Sequence, residues 1–425
     1  MLRSSAAPSR NNWRQHSGRL NLPVAIAPFL VVLLLASGYA CRTRQSGRPQ
    51  DEFGKDAGVW NDAARFLAGL KGRENGTYRR FEDSPAWRKY CSDWSEIWSR
   101  TEKEQFEAVD TFQKRELASL RGNNNFVFYP LSGPDVLYAT RFFPDRKVFV
   151  LVGLEPVGSI RGPRELEKKK LDQELRGWSR AVESIFARSF FVTSEMDQQY
   201  RGRVADGLLP TMLLLLARNG YVIEQVRFGR IDDSGEFVPV SPGEAVTRRH
   251  EGVEVSFRSH SEAESRKLFY FSFNLGPEFD RNPRFVRFLG RRGTPDTLIK
   301  SASFLLHWKM CAGLRKYILE NSNLILEDDT GVPFRYFRSS DWQVQLYGEY
   351  SPPDRPFRRQ YQNDLAEAFQ DRARVRSLGF SLGYGYGRRP SSMILARRKL
   401  PRALTKAPGV SSSNWRSEAL VRSAR

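Results

Sequence analysis

Hydrophobic and polar positions along the chain fall into blocks whose period switches between helical and strand-like, most clearly between Phe126 and Ile160. Phe126–Tyr129 is a short apolar run, Ser132-Gly133-Pro134-Asp135 reads as a turn, helical spacing follows, and a second apolar run ends just before Glu155. Strand, turn, helix and strand in that order predict a βαβ unit with two neighbouring parallel strands.

The flanking blocks extend this reading. Ser84-Pro85 is a serine cap followed by proline where its missing N–H costs nothing, so a helix is expected to start there. Trp87, Cys91, Trp94, Ile97, Trp98, Phe106, Val109 and Phe112 then recur at roughly helical spacing up to Leu120, and the stripe is read as core packing. Residues 164–190 predict a charged amphipathic helix, and Gly207–Gly220 a short apolar helix stopped by Asn219-Gly220. Tyr221–Ile231, Phe237–Val240, Gly252–Arg258 and Lys267–Phe273 predict strands joined closely enough to pair antiparallel. A helix is expected to open at Thr294-Pro295-Asp296 and run on through Asn323, followed by strands at Leu324–Leu326 and Trp342–Tyr350 and a helix over Asn363–Arg376. Gly379–Gly387 alternates large apolar residues with glycine or serine, which predicts a strand, and Met393–Arg397 a last one. The expected fold class is α/β: a mixed sheet with a Rossmann-like βαβ start, antiparallel strands after it and helices packed on the sheet.

Composition changes the picture mainly at the ends. At 425 residues and 40% apolar content the chain can bury a large core, which excludes disorder of the whole. Most of the net charge of +20 belongs to residues 1–40 and 372–425, so the middle is nearly neutral. One α/β domain is expected over 59–400, with a helical N-terminal part over 59–122, and 401–425 as a disordered basic tail. Arg3, Arg10, Arg14 and Arg19 precede the apolar run Leu22–Ala40, the layout of an export signal, so 1–40 is read as signal peptide or membrane anchor and 41–58 as a tether. Three outcomes stay open: cleavage after Ala40, acylation of Cys41 as in a bacterial lipoprotein, or an uncleaved membrane-spanning anchor. Each places the rest of the chain outside the cytoplasm, at the envelope or in the periplasm.

Candidate chemistry is sparse. In dinucleotide and S-adenosylmethionine folds a glycine-bearing first turn approaches the cofactor while an acid at the end of the second strand holds ribose hydroxyls. Ser132, Gly133 and Asp135 with Glu155 fit that spacing, although Pro134 removes an N–H that a phosphate would want. The alternative is a structural turn with Asp135 capping its helix. Asp328 and Asp329 follow Glu327 just past a strand, where a site for a hard cation or a general acid–base pair could be built, and the competing reading is a solvated turn. His307 is a further candidate, set against a hydrogen-bonded core histidine. His250, Glu254 and His260 have no metal spacing, and no metal is expected. G-x-S-x-G, H-E-x-x-H, the Walker loop and C-x-x-C are all absent. Cys91 and Cys311 are expected as buried thiols without a bridge.

With FYPLSGPDVLYATRFFP and LVGLEPVG (Phe128–Pro144, Leu151–Gly158), SASFLLHW (Ser301–Trp308), LILEDDTGVPFRYF (Leu324–Phe337) and LYGEY ending at Tyr350, the chain resembles a group of uncharacterised bacterial exported proteins over most of Trp87 to Tyr386. The resemblance implies an envelope location and assigns no catalytic residue. The first functional expectation is a non-catalytic domain without cofactor that binds a ligand or an envelope partner, held at the membrane by its N-terminal segment or a lipidated Cys41. The second is an enzyme with a nucleotide or S-adenosylmethionine site at Ser132–Asp135 and Glu155. Nucleic acid is not the expected partner.

Overall fold

The computed structural model describes residues 57–120, 126–160, 162–163, 166, 170–189, 205–240, 252–385 and 390–399. Leu22–Ala40, Cys41, the basic tail and His250 lie outside the described residues. Among the described residues no helix is long and apolar enough to cross a membrane, against the expectation of a membrane-spanning anchor, whose Leu22–Ala40 run lies outside them.

Helix α1 (Ala57–Leu67) begins one residue before the expected end of the tether. Helix α2 (Pro85–Thr101) starts as the sequence indicated, with the Ser84 hydroxyl accepting the Trp87 N–H. It continues through a π turn (Glu102–Phe106), an α stretch (Glu107–Phe112) and a second π turn (Gln113–Leu117). Each wide turn rotates the buried stripe, and here the turns bring Gln105, Gln113 and Glu116 inward among aromatics.

Strand β1 (Phe126–Tyr129), helix α3 (Val136–Phe142) and strand β2 (Val148–Gly153) make the predicted βαβ unit, with Phe126 to Tyr129 aligned parallel to Val148 to Leu151. A small ladder, β3 (Ser159–Ile160) with β4 (Ala205–Asp206), brackets helix α4 (Leu171–Arg188), and helix α5 (Leu209–Arg218) follows. Strands β5 (Tyr221–Ile231), β6 (Phe237–Pro239), β7 (Gly252–Ser259) and β8 (Arg266–Ser272) form the antiparallel set. Helix α6 (Pro283–Gly290), strand β9 (Asp296–Ile299), helix α7 (Ala312–Asn321), strand β10 (Leu324–Glu327), strand β11 (Trp342–Gly348), helix α8 (Asn363–Gln370), strand β12 (Val375–Arg376) and strand β13 (Ser392–Arg398) complete the order.

One sheet of eleven strands runs β12-β11-β13-β10-β9-β1-β2-β8-β7-β5-β6. Its centre, β10-β9-β1-β2-β8, is parallel throughout. Numbered in chain order, those five strands read 3-2-1-4-5 from β8, the order of a doubly wound sheet, and its switch point lies at β1. Beyond β10 the chain departs from that pattern, because β13 is wedged antiparallel between β10 and β11. Both faces are covered. Val127 and Tyr129 point into the cluster built with α1 to α5, and Phe126 and Phe128 into the one built with α6 to α8.

Two expected elements are corrected. Asp296–Ile299 is a strand and not the start of a long helix, since Thr297, Leu298 and Ile299 are buried between β1 and β10. A short apolar run buried on both faces has no period to distinguish strand from helix. Helix is then barred at Ser301, Ser303 and Phe304, whose φ values are +54°, +51° and +55°. Gly379–Gly385 is likewise no strand: Gly383 has φ +68°, Gly383–Gly385 is a single 3₁₀ turn, and Leu382 donates its N–H to the Ser391 hydroxyl. Asn363–Arg376 splits into α8 and β12. Cys91 and Cys311 are free thiols; Cys311 is buried, as expected, and Cys91 only half-buried.

At the opposite end of the central strands Arg146 donates from Nε and Nη2 to Asp296 Oδ2 at 2.8 and 2.6 Å, with both residues buried. Asp296→Ala leaves that guanidinium without its carboxylate and is expected to cost about 3–5 kcal/mol, read from urea unfolding, while Arg146→Met with Asp296→Leu recovers most of the loss.

Candidate functional site

The C-terminal ends of β1, β9 and β10 converge on a buried polar cluster. Beyond β1 the chain turns through Leu131 at φ +60° and Gly133 at φ +54°, and the Ser132 N–H donates to Val152 of β2 at 2.9 Å. The turn delivers Asp135 to the start of α3, where Oδ1 accepts the Tyr138 N–H at 3.2 Å. Its Oδ2 accepts the Tyr129 hydroxyl and the Lys300 ammonium, each at 2.9 Å. Both side chains of the Asp135–Lys300 pair are 3% exposed.

Lys300 stands one residue beyond β9. Its Nζ also donates to the Ser189 carbonyl at the end of α4 and lies 4.4 Å from the centre of the Tyr138 ring. The π turn of α2 contributes Gln105, whose amide donates to the Tyr138 hydroxyl at 3.2 Å and to the Ser381 carbonyl at 2.6 Å. Burial, and then the neighbouring Asp135, hold the Tyr129 phenol well above its ordinary range, so it remains a donor.

Asp328 fills the next position along the sheet. Its Oδ2 accepts the Ser301 N–H at 2.8 Å, and its Oδ1 accepts the N–H and hydroxyl of Thr330. Burial raises its carboxyl from the ordinary value against the opposing pull of those hydrogen bonds and of Lys300. Tyr384 closes the cluster, with its hydroxyl 2.7 Å from that of Ser303 and donating to the Ser301 carbonyl at 2.9 Å. Gly383 sits so close that a Cβ there would meet Asp328 Oδ2 at 2.6 Å, and its N–H donates to the Ser189 hydroxyl.

Among the described residues five non-glycine positions have positive φ: Leu131, Ser189, Ser301, Ser303 and Phe304. All five lie on the loops that meet here. Such backbone persists only where the surroundings over-determine it, and it gathers at functional sites.

The sequence candidates divide. Ser132, Gly133, Asp135 and Asp328 come together, and Glu155 stands on the far side of the β1 turn. The Glu155 carboxylate lies 2.7 Å from where a Cβ on Gly153 would be and 4.0 Å from one on Gly133, and its carbonyl accepts the Tyr270 hydroxyl at 2.7 Å. His307 and Asp329 are outside the cluster. His307 packs edge-on against Phe304 at 5.2 Å, and burial, then Arg335 and Arg315, lower its imidazole to about 4. The Asp329 carbonyl accepts the Gln362 amide at 3.0 Å. Glu327 points to the opposite face, where its Oε2 accepts the Val332 N–H and burial holds the carboxyl well above its ordinary range. No group of three or more potential metal ligands occurs among the described residues.

Lys300, Ser189, Gln105 and Tyr384 were not singled out from sequence. A lone lysine closing the apolar run Thr297–Ile299 was the available signal for the first, once that run is read as a strand.

No protein-family model and no curated protein matches the chain. Among solved structures, a plantazolicin methyltransferase, BpumL, in complex with SAH aligns over 83% of this chain and 100% of its own, at 9% identity and a TM-score of 0.25, a likeness that carries no functional argument.

Lys300→Met strands Asp135 in a dry environment and is expected to destabilise the fold by about 3–5 kcal/mol in urea titrations. A pH dependence follows from Glu327. It keeps its proton in the native state above the ordinary value of 4.5, so unfolding releases a proton and stability falls as pH rises past 4.5. Glu327→Gln removes that loss: it is expected to be more stable than wild type at pH 7, with the advantage gone near pH 4 in matched urea titrations.

Proposed function

We propose that the β1 turn and Glu155 bind a phosphate-free nucleoside-type ligand, the S-adenosylmethionine class included, in a domain whose leader directs it out of the cytoplasm. The observation that carries this reading is the approach of the Glu155 carboxylate to the paired glycines Gly133 and Gly153 beside the switch point of a doubly wound sheet. Ligands of such sheets lie in the crevice outside the carboxyl ends of the strands, and an acid ending the second strand accepts ribose hydroxyls. The two glycines leave no side chain between that carboxylate and the turn.

The same turn argues against a phosphate. Pro134 offers no N–H, and the Asp135 carboxylate already takes the Tyr138 N–H in the first turn of α3, a donor that a phosphate would need. A ligand carrying a sugar and base without phosphate fits that chemistry. The proposal assigns binding and no reaction, in keeping with a non-catalytic domain.

Calorimetric titration of the full chain with adenosine, S-adenosylmethionine and ATP tests it. Saturable heat is expected from at least one of the first two, and Glu155→Gln is expected to weaken it about 10- to 100-fold through loss of charged hydrogen bonds to the hydroxyls. Silence from both nucleosides, or equal binding of ATP, overturns the reading.

A further inference from the structure

Four large apolar side chains stand well exposed among the described residues: Leu154 at 41%, Trp308 at 45%, Tyr361 at 42% and Val238 at 37%. Three of them lie on one edge of the molecule. Leu154 immediately follows β2, Trp308 is in the loop after β9, and Tyr361 follows the 3₁₀ turn Arg355–Gln360 beyond β11. Because β2, β9, β10 and β11 all run in the same direction, these positions share the C-terminal edge of the sheet.

The edge is continuous where it can be traced. Arg315 donates to the Leu306 and Trp308 carbonyls and lies 4.7 Å from the Tyr336 ring, and Arg335 covers the same ring at 5.0 Å. Phe334 donates its N–H to the side chain of Gln362, next to Tyr361. Phe357, in the 3₁₀ turn, packs at a tilt with its ring centre 5.2 Å from those of both Phe304 and Tyr384. The exposed cations here are Lys309, Arg335, Arg355, Arg358 and Arg359, and none of them has an ion-pair partner among the described residues. Glu155 beside Leu154, and Asp329, Asp354, Glu349 and Asp364, share the neighbourhood and offset part of that charge.

We propose that this edge docks on an anionic phospholipid surface, with Leu154, Trp308 and Tyr361 at headgroup depth and the lysine and arginines on the phosphates. The pairing of chemistries selects the occupant. Trp and Tyr rings with an apolar body and a polar tip settle at the headgroup level, and nearby cations are drawn to an anionic leaflet. A single nucleic-acid strand would use the rings and arginines, but it gains nothing from an exposed leucine, which has no face to stack on a base. The inference stands apart from the nucleoside reading and does not require it.

Amide hydrogen exchange of the full chain tests it, because it reads the edge separately from the N-terminal run. Peptides covering Phe304–Met310 and Asp354–Gln362 are expected to exchange about tenfold more slowly with phosphatidylglycerol-containing vesicles, and to be unaffected by pure phosphatidylcholine vesicles. The protection is expected to vanish in high salt and in Arg355→Gln/Arg358→Gln/Arg359→Gln, and to fall in Trp308→Ala. These side chains are exposed, so unchanged exchange in β1 and β9 of each variant verifies folding. Absence of protection by anionic vesicles, equal protection by neutral ones, or protection by a single-stranded oligonucleotide in place of vesicles overturns the proposal.

Discussion

The arrangement at the top of the sheet turns on one buried ion pair, Lys300 with Asp135. A lysine one residue past a central parallel strand cannot reach water, and its charge is tolerable only against a carboxylate that is itself hydrogen-bonded. Asp135 meets that condition by accepting the Tyr129 hydroxyl and the Tyr138 N–H in the first turn of α3. The pair therefore ties β9 to the β1 turn across the switch point. Its net worth to stability is small, because two desolvations offset the attraction, and its effect is to leave the loops a single arrangement.

That arrangement has visible costs in the backbone. To bring Lys300 toward β1 while the Ser301 N–H reaches Asp328, the chain after β9 passes through three left-handed residues within four positions. Ser189 does the same at the end of α4, placing its carbonyl on Lys300 and its hydroxyl under Gly383. Strain at one loop alone would relax. Here five elements share the same few polar atoms, and none can move without breaking a bond held by another.

Much of the fold was legible because its signals were local. Alternation in Tyr221–Ile231, the Ser84-Pro85 cap and the apolar runs on either side of Ser132–Asp135 each predict an element from a few residues, and each is present. The mixed α/β class followed from their order. Asp296–Ile299 was not legible as a strand, since burial on both faces removes the alternation that would mark it. With β9 misread, Lys300 could not be placed at a strand end, and so the partner of Asp135 went unseen. Gln105 was hidden for another reason: two π turns shift the inward stripe of α2 in a way that a fixed helical period cannot anticipate. Glu155 was found by spacing alone, which is a property of the βαβ unit and not of any ligand.

The wedging of β13 between β10 and β11 has a consequence for how the molecule is made. Both neighbours of that strand precede it by dozens of residues, so until Ser392–Arg398 emerges, the flank of β10 has no partner and β11 with β12 has nothing to join. A nascent chain would carry that unpaired, apolar flank from the synthesis of Leu324–Glu327 until Ser392–Arg398 follows, a hazard for adventitious strand addition. Completion of the sheet is thus a late, long-range event set by the final described strand, and a chaperone that shields β10 during elongation would act at the slowest point of assembly.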